Sequence, residues 1–431
     1  VAVLAHHAGG RLRRKGEESR EQFYRKMELS TEERDDIDAT ASILMLDDKQ
    51  RDVEVKTYSN LFEYDTAGYI LKYNHDNSIR WKAVFRWKHT VFCLPAINRR
   101  IMVSLTIAMV AFALDVAAYL VHAGGIRLRV RDLESATSFF NGFISMLLAF
   151  YVSKMLGRWW DMRMNTLGRL WGAVDDLCVL MSAHLPGAEW AKFRKLVLRY
   201  CLASYELTFM QAQGEDEEVD KLVTWRLLAQ DEADRLRNEP SKSQLIWTWV
   251  AGMYNGAYRD GHLCNVVLRM FYTKCLDARG GIGATFAYLD TQLPFMYVHL
   301  LAVLVHLANS VVALDAGFSA AHFIMDSTDI DGQKPKPAVR LLQVLLQTFF
   351  YNACLEIGQI FSDPLGNDFE DFPRHAWHCF MRNECEAFLK AGECPTNAMR
   401  KAAAAATASH SPMPSKAPAV RAAAAAGASP A

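Results

Sequence analysis

The sequence predicts an all-α membrane protein with four transmembrane helices and a helical domain outside the membrane. Four mainly apolar stretches give the transmembrane helices, at 101–121, 136–156, 293–314 and 339–361. At about 1.5 Å per residue, each stretch reaches roughly 30 Å, the thickness of a hydrocarbon core. A core helix of a soluble protein rarely stays this apolar on every face. Residues 158–290 are more polar and repeat apolar residues with helical spacing, which predicts a bundle of amphipathic helices.

Composition excludes several classes of protein. Of the 431 residues, 51% are hydrophobic and 11% aromatic, too many for a mostly disordered chain. The 48 basic and 48 acidic residues cancel, so we expect no nucleic-acid partner. No Walker loop, nucleophile elbow, zincin motif or Rossmann glycine pattern occurs, so we do not expect an enzyme. Nine cysteines occur singly without a C-x-x-C motif, which indicates reduced thiols.

The charges that flank the apolar stretches predict the orientation. Lys and Arg are frequent at 80–100, before the first stretch, and at 154–169, at the end of the second. The loops on the opposite side carry fewer. The positive-inside rule therefore places both termini and residues 158–290 in the cytosol or its topological equivalent.

The two ends of the chain differ from its middle. Residues 1–71 form an N-terminal extension that lacks an initial Met and carries a basic patch, which suits a processed precursor or a truncated chain. Residues 386–431 are rich in Ala, Pro and Ser, a composition that cannot bury a core, so we expect a flexible tail.

Three motifs, taken in their order along the chain, resemble those of the bestrophin anion-channel family, most closely its plant and algal thylakoid members. They are F-Y-V followed by R-W-W at 150–160, Y-x-D followed by proline at 288–294, and D-P-x-G-x-D at 363–368. The resemblance covers residues 72–385. It implies a homopentamer in which the second transmembrane helix of each subunit lines a central pore, while residues 158–290 form a vestibule on the inner side.

The second apolar stretch has the spacing of a pore helix. Gly142, Met146, Phe150 and Lys154 recur every four residues and share one slowly turning helix face. Alternatively, this face packs against the first and third transmembrane helices and Lys154 reaches the membrane interface. The resemblance places Phe150 at the innermost position of the family's narrow neck, Met146 next and Gly142 outermost. Animal members carry bulky side chains at all three positions, so this sequence departs at two of them.

The acidic turn after the fourth stretch resembles the family's calcium clasp. Asp368 and Asp371 align with its carboxylate ligands, and Ile360 and Asp363 align with residues that coordinate through backbone carbonyls. A further carbonyl would come from the region of Tyr73. Calcium binds several oxygen ligands at once, so the donor set is suitable. The alternative is an acidic helix cap without a metal.

A second narrow point in the family, the inner aperture, lies on a vestibule helix. Counting back from Tyr288 selects Val266, whereas counting forward from Arg259 selects His262, one helical turn away. We favour Val266.

The resemblance implies a calcium-containing channel that conducts chloride and bicarbonate and contacts membrane lipid. It further implies a chloroplast thylakoid location, with the plasma membrane as the alternative. Two other functions stay open. Asp115, His299 and His306 are ionisable groups within apolar stretches and could serve a proton-coupled carrier. The basic, alanine-rich tail could make the protein a scaffold that recruits a soluble partner.

Overall fold

The computed structural model describes residues 56–58, 62–64, 70–73, 90–122, 130–215, 218–325, 337–366, 368, 370–393 and 401. The predicted flexible tail lies almost entirely outside these residues. The described part contains a small sheet, eleven α-helices, two short 3₁₀ turns and one π-helical segment. The helices are α1 (Pro95–His122), α2 (Val130–Asp161), α3 (Gly168–His184), α4 (Ala191–Ala212), α5 (Asp220–Thr224), α6 (Gln230–Leu236), α7 (Lys242–Arg259), α8 (Asn265–Asp290), α9 (Phe295–Met325), α10 (Pro337–Ile360) and α11 (Arg374–Glu393).

Three helices are long and apolar enough to cross a membrane. They are Pro95–Val121 within α1, Phe295–Met325 in α9 and Pro337–Ile360 in α10. They contain the predicted first span and all but one or two residues of the predicted third and fourth spans, and α9 continues past the predicted end at 314. The predicted second span lies in α2, which is not among the three, in a search that covered the described residues alone. The fourth transmembrane helix therefore stays a prediction.

The described part is mostly helical, in line with the predicted all-α class, but its N-terminal part contains a small sheet that was not predicted. Three short antiparallel strands, β1 (Lys56–Tyr58), β2 (Phe62–Tyr64) and β3 (Ile70–Tyr73), pair in sequence order. Each strand contains Thr, Tyr, Phe or Ile, the residue types that suit a pleated strand. The segments are too short to show a clear alternation of apolar and polar residues. The sheet also crosses the predicted boundary between the extension and the channel domain at 72.

The helices between α2 and α9 form a bundle with one large core, but its central helix is not amphipathic. Side chains of α4 are buried continuously from Leu196 to Met210. Two charged residues on this helix are paired inside the bundle: the guanidinium of Arg199 lies 2.7 Å from Glu232, and Glu206 lies 2.6 Å from Arg374. Sequence periodicity missed this arrangement because a charged side chain with a buried partner has the same letter as one in water.

The pore helix predicted from the sequence continues directly into the bundle. A π-helical segment, Met162–Leu167, joins α2 to α3 without a break in helical backbone geometry. Helix α8 crosses this segment closely at Gly281, where a Cβ atom would lie 2.7 Å from the carbonyl oxygen of Thr166. Glycine is therefore required at the crossing, and it fixes the end of α2 against α8.

At the C-terminal end, α11 continues past residue 386, where the tail was predicted to begin, to Glu393. Cys385 and Leu389 on this helix are buried in the core of the bundle. Their burial explains why the helix does not stop at the predicted boundary.

Candidate functional site

The four predicted neck residues lie on a face of α2 that is exposed in the part of the chain that the structure describes. Met146 is 52% exposed and Phe150 is 60% exposed. Gly142 and Lys154 are exposed as well, and nothing lies within 4 Å of the position that a Cβ atom would take at Gly142. Residues on the opposite face are buried, namely Ile144, Leu148, Tyr151 and Met155.

Contacts with α9 and α10 hold the back of α2. Tyr297 on α9 donates a hydrogen bond of 3.3 Å to the carbonyl oxygen of Leu147. On α10, Gly358 lies so close to the ring of Tyr151 that a Cβ atom there would overlap the ring. Within the protomer, the neck face thus does not pack against the first and third spans, as the alternative required.

Two of the three sequence motifs meet at the inner end of α2. Arg158 donates a hydrogen bond of 2.7 Å to the carbonyl oxygen of Thr291 and another to that of Tyr288. These carbonyls end α8, where no intrahelical donor remains for them. The hydroxyl of Tyr288 lies 3.4 Å from the carboxylate of Asp161. Arg158 thereby links α2 to the segment that leads into α9.

The acidic turn is attached to the same end of α2 through aromatic rings. The ring of Trp159 lies 6.2 Å from that of Phe361 and 5.2 Å from that of Phe372, which stand on either side of the turn. Phe372 also stacks on Trp377 at 4.9 Å. The three motifs, separated by long stretches of sequence, therefore form one junction beneath the neck.

Asp371 is the most unusual carboxylate of the acidic turn. Its side chain is 3% exposed. One oxygen, Oδ2, accepts a hydrogen bond of 2.6 Å from the backbone N–H of Asp368, whereas Oδ1 is buried without a hydrogen-bond partner. Burial, together with the negative charges of Asp368, Asp363 and Glu370, raises the pKa of Asp371 to about 7. A buried carboxylate oxygen with no donor suits a cation.

The backbone around Asp371 supplies further oxygens. Within the described part of the chain, the backbone N–H groups of Asp363 and Gly366 donate long hydrogen bonds of 3.4 Å to the carbonyls of Ile360 and Asp363, respectively. The turn also follows the C-terminal end of α10, where the helix dipole is negative. Among the described residues, no three His, Cys, Asp or Glu side chains form a group that could hold a metal alone. Calcium would therefore need the carbonyls together with Asp368 and Asp371, and this oxygen set fits it.

Two predicted site residues lie elsewhere. Tyr73 is the last residue of β3 and its side chain is 53% exposed; its part in a calcium site stays a prediction. Val266, near the start of α8, is 71% exposed. The alternative, His262, packs its ring on that of Trp190 at 4.9 Å. Of these two candidates for the inner aperture, His262 has a ring contact with Trp190, whereas the side chain of Val266 is largely exposed.

Residues that sequence reasoning did not select support the acidic turn from α4. Gln213 donates to the carbonyl oxygens of Leu365 and Gly366 at 2.9 and 3.0 Å. Glu206, deep in the bundle, lies 2.6 Å from Arg374 and 2.7 Å from His378. Burial raises the pKa of Glu206, but the charges of His378 and Arg374 outweigh burial and hold it below its usual value.

The three groups suggested for a proton-coupled carrier do not form one relay. Asp115 is fully buried and lies 3.6 Å from His322, which contacts the hydroxyl of Tyr119 at 3.1 Å. His299 and His306 are exposed. On α9, His322 follows His306 by more than four helical turns, about 24 Å along the helix axis. The pair of Asp115 and His322 is therefore far from His306.

Comparison with known proteins agrees with this architecture. A family model described as "Bestrophin, RFP-TM, chloride channel" matches residues 66–377, well over half of the chain. Bestrophin homolog 14 of Caenorhabditis elegans is 22% identical over 260 residues, covering 58% of this chain and 60% of the relative. Bestrophin-1 of Sus scrofa is 23% identical over 239 residues, covering 53% of this chain and 39% of that protein. The chain thus spans between about two fifths and three fifths of the length of these relatives.

Solved structures show the same fold. The crystal structure of a bacterial bestrophin homolog from Klebsiella pneumoniae matches with a TM-score of 0.57 at 17% identity, covering 69% of this chain and all of that one. At this identity the likeness concerns the fold alone. The family model, which includes the neck and the acidic turn, shows more: the chain belongs to the bestrophin family.

Proposed function

We propose that the protein is a homopentameric anion channel that conducts chloride and bicarbonate through a pore lined by α2. The observation that carries this proposal is the exposure of Gly142, Met146, Phe150 and Lys154 on one face of a helix whose opposite face is buried. Five copies of α2 around an axis would cover this face and enclose a passage. Membership of a family described as chloride channels supports the same function.

The residues of the neck suggest how the passage would work. Rings of Met146 and Phe150 would form a short apolar constriction, which opposes wetting and so limits conduction. Gly142 contributes no ring, and the constriction is correspondingly short. Lys154 follows one helical turn after Phe150 and would place five positive charges at the inner mouth, where they raise the local concentration of anions.

In this proposal the acidic turn holds calcium. Asp371 and Asp368 would supply carboxylate oxygens, and Ile360 and Asp363 would supply carbonyl oxygens. Calcium, when bound, would neutralise the mutual repulsion of the carboxylates. Trp159, at the inner end of α2, packs on Phe361 before the turn and on Phe372 after it. A change in the conformation of the turn would therefore move the inner end of α2.

The remaining parts of the proposal concern position and surroundings. Val266 would narrow the inner end of the vestibule, and the exposed apolar residues of α1, α9 and α10 would face lipid. A location in the chloroplast thylakoid membrane is supported only by the alanine-rich tail and the sequence resemblance to thylakoid members of the family.

Purified full-length protein in planar bilayers tests the proposal. We expect unitary currents that reverse near the chloride equilibrium potential, and similar currents when bicarbonate replaces chloride. Saturable flux driven by a pH gradient, without unitary currents, would instead indicate a carrier. Absence of any ion flux from a correctly assembled protein would instead favour the function of a scaffold that recruits a soluble partner.

A further inference from the structure

Gln213 lies at the end of α4 and is the point where the vestibule bundle holds the acidic turn. Its amide nitrogen donates to two successive carbonyl oxygens of the turn, Leu365 at 2.9 Å and Gly366 at 3.0 Å. Its amide oxygen accepts a hydrogen bond of 2.9 Å from Nη1 of Arg374. These three hydrogen bonds join the bundle to both ends of the turn.

The orientation of the Gln213 amide is determined by its neighbours. Two carbonyl oxygens on one side require a donor, and a guanidinium on the other requires an acceptor. Arg374 is itself fixed, because its Nε donates to Glu206 at 2.6 Å and its guanidinium lies over the ring of Trp225 at 5.5 Å. Glu206 also pairs with His378. Rotating the amide by half a turn would place its oxygen against the two carbonyl oxygens and its nitrogen against the guanidinium. Acceptors would then face acceptors, and donors would face donors.

These contacts decide which oxygens of the turn remain available for a cation. The carbonyls of Leu365 and Gly366 are engaged by Gln213. Among the described residues, the carbonyls of Ile360 and Asp363 accept long hydrogen bonds of 3.4 Å, and Oδ1 of Asp371 is buried without a hydrogen-bond partner. Gly366 lies close to Asp371 and Asp363: a Cβ atom there would be 2.9 Å from Oδ2 of Asp371 and 3.5 Å from the Asp363 carbonyl.

We propose that Gln213 is a positioning residue for the calcium site, which directs the Leu365 and Gly366 carbonyls away from the cation and keeps the Asp363 carbonyl and the Asp371 carboxylate facing it. This inference rests on the calcium binding proposed above. Through Gln213, the vestibule helix α4 would influence the calcium affinity although it contributes no ligand.

The variant Gln213→Glu separates this role from packing. Glutamate has nearly the same shape and still accepts the hydrogen bond from Arg374, but it cannot donate to the two carbonyls and repels them. Losing two hydrogen bonds of ordinary strength should weaken calcium binding about tenfold or more. The matched control is Gln211→Glu on the same helix, because the oxygen of Gln211 accepts a hydrogen bond of 3.2 Å from Ser243 that glutamate can keep.

Calcium titration calorimetry on the purified, assembled full chain measures the effect. We expect the dissociation constant of Gln213→Glu to rise about tenfold, with Gln211→Glu like the wild type. A purely structural role would lower the melting temperature in EGTA but leave calcium affinity unchanged, and that result would overturn the inference while the calcium site stands. A wild type that binds no calcium, or whose affinity is unchanged by Asp371→Asn, would overturn both.

Discussion

Replacing Asp371 by asparagine should stabilise the calcium-free protein and, at the same time, abolish its stabilisation by calcium. The wild-type carboxylate is buried, and its Oδ1 has no donor. The difference between a pKa of about 7 and that of an ordinary aspartate corresponds to an upper limit of about 4 kcal/mol opposing the charged form. Asparagine removes the charge and can still accept the hydrogen bond from the backbone N–H of Asp368. We expect a gain of more than about 1 kcal/mol at pH 8.

The gain should depend on pH in a defined direction. A carboxyl group whose pKa is raised by folding keeps its proton in the native state while the unfolded chain ionises near pH 4. The calcium-free wild type should therefore lose stability as pH rises from about 4 to about 7, and Asp371→Asn should lose less. At pH 5 the difference in stability between the two proteins should be smaller than at pH 8.

Thermal unfolding followed by tryptophan fluorescence in detergent, at pH 5 and pH 8, with EGTA or with calcium, tests this account of Asp371. Asp368→Asn is the control, because Asp368 is exposed. It should reduce the calcium effect without stabilising the calcium-free protein. If Asp371→Asn were less stable than the wild type in EGTA at pH 8, the carboxylate would have a partner in the assembled protein and the reasoning would be refuted.

Two further substitutions test the neck and the packing behind it. Lys154→Glu should lower the permeability of anions relative to cations, and Lys154→Gln should lie between Lys154→Glu and the wild type, with the largest differences at low salt. The measurement is the reversal potential under a chloride gradient. Identical reversal potentials for the three proteins would exclude Lys154 from the pore. Gly358→Ala should lower stability by about 1–3 kcal/mol because its methyl group overlaps the ring of Tyr151. Gly157→Ala, which meets nothing within 4 Å, is the control, and equal melting temperatures for the two variants would contradict the close contact.

Much of the membrane part was predictable because a bilayer demands long apolar helices. The first, third and fourth predicted spans lie in helices that the structure shows to be long and apolar enough to cross a membrane. Sequence periodicity did not reveal the sheet near Tyr73 or the burial of helix α4. Short strands give too few residues for a period, and the charges on α4 are compensated by partners, such as Glu232, that are distant in sequence.

The candidate site shows the same limit. The motifs containing Arg158 and Asp368 could be recognised by their order along the chain, and spacing alone placed Met146 and Phe150 on one helix face. Their meeting at one junction could not be predicted, because it depends on tertiary contacts between α2, α8 and the acidic turn. Gln213 had no signal at all: a single glutamine at a helix end is common, and only its three hydrogen bonds distinguish it.

The central claim, that the uncovered face of α2 lines an ion-conducting pore, is tested most directly by single-channel conductance. Phe150→Ala should raise the conductance by removing an apolar ring from the neck, and Gly142→Phe should lower it by adding one. The control is Phe350→Ala, since Phe350 is 57% exposed on α10, a helix assigned to lipid contact. Its conductance should equal that of the wild type. Unchanged conductance in Phe150→Ala and Gly142→Phe, or an equal change in Phe350→Ala, would contradict the account.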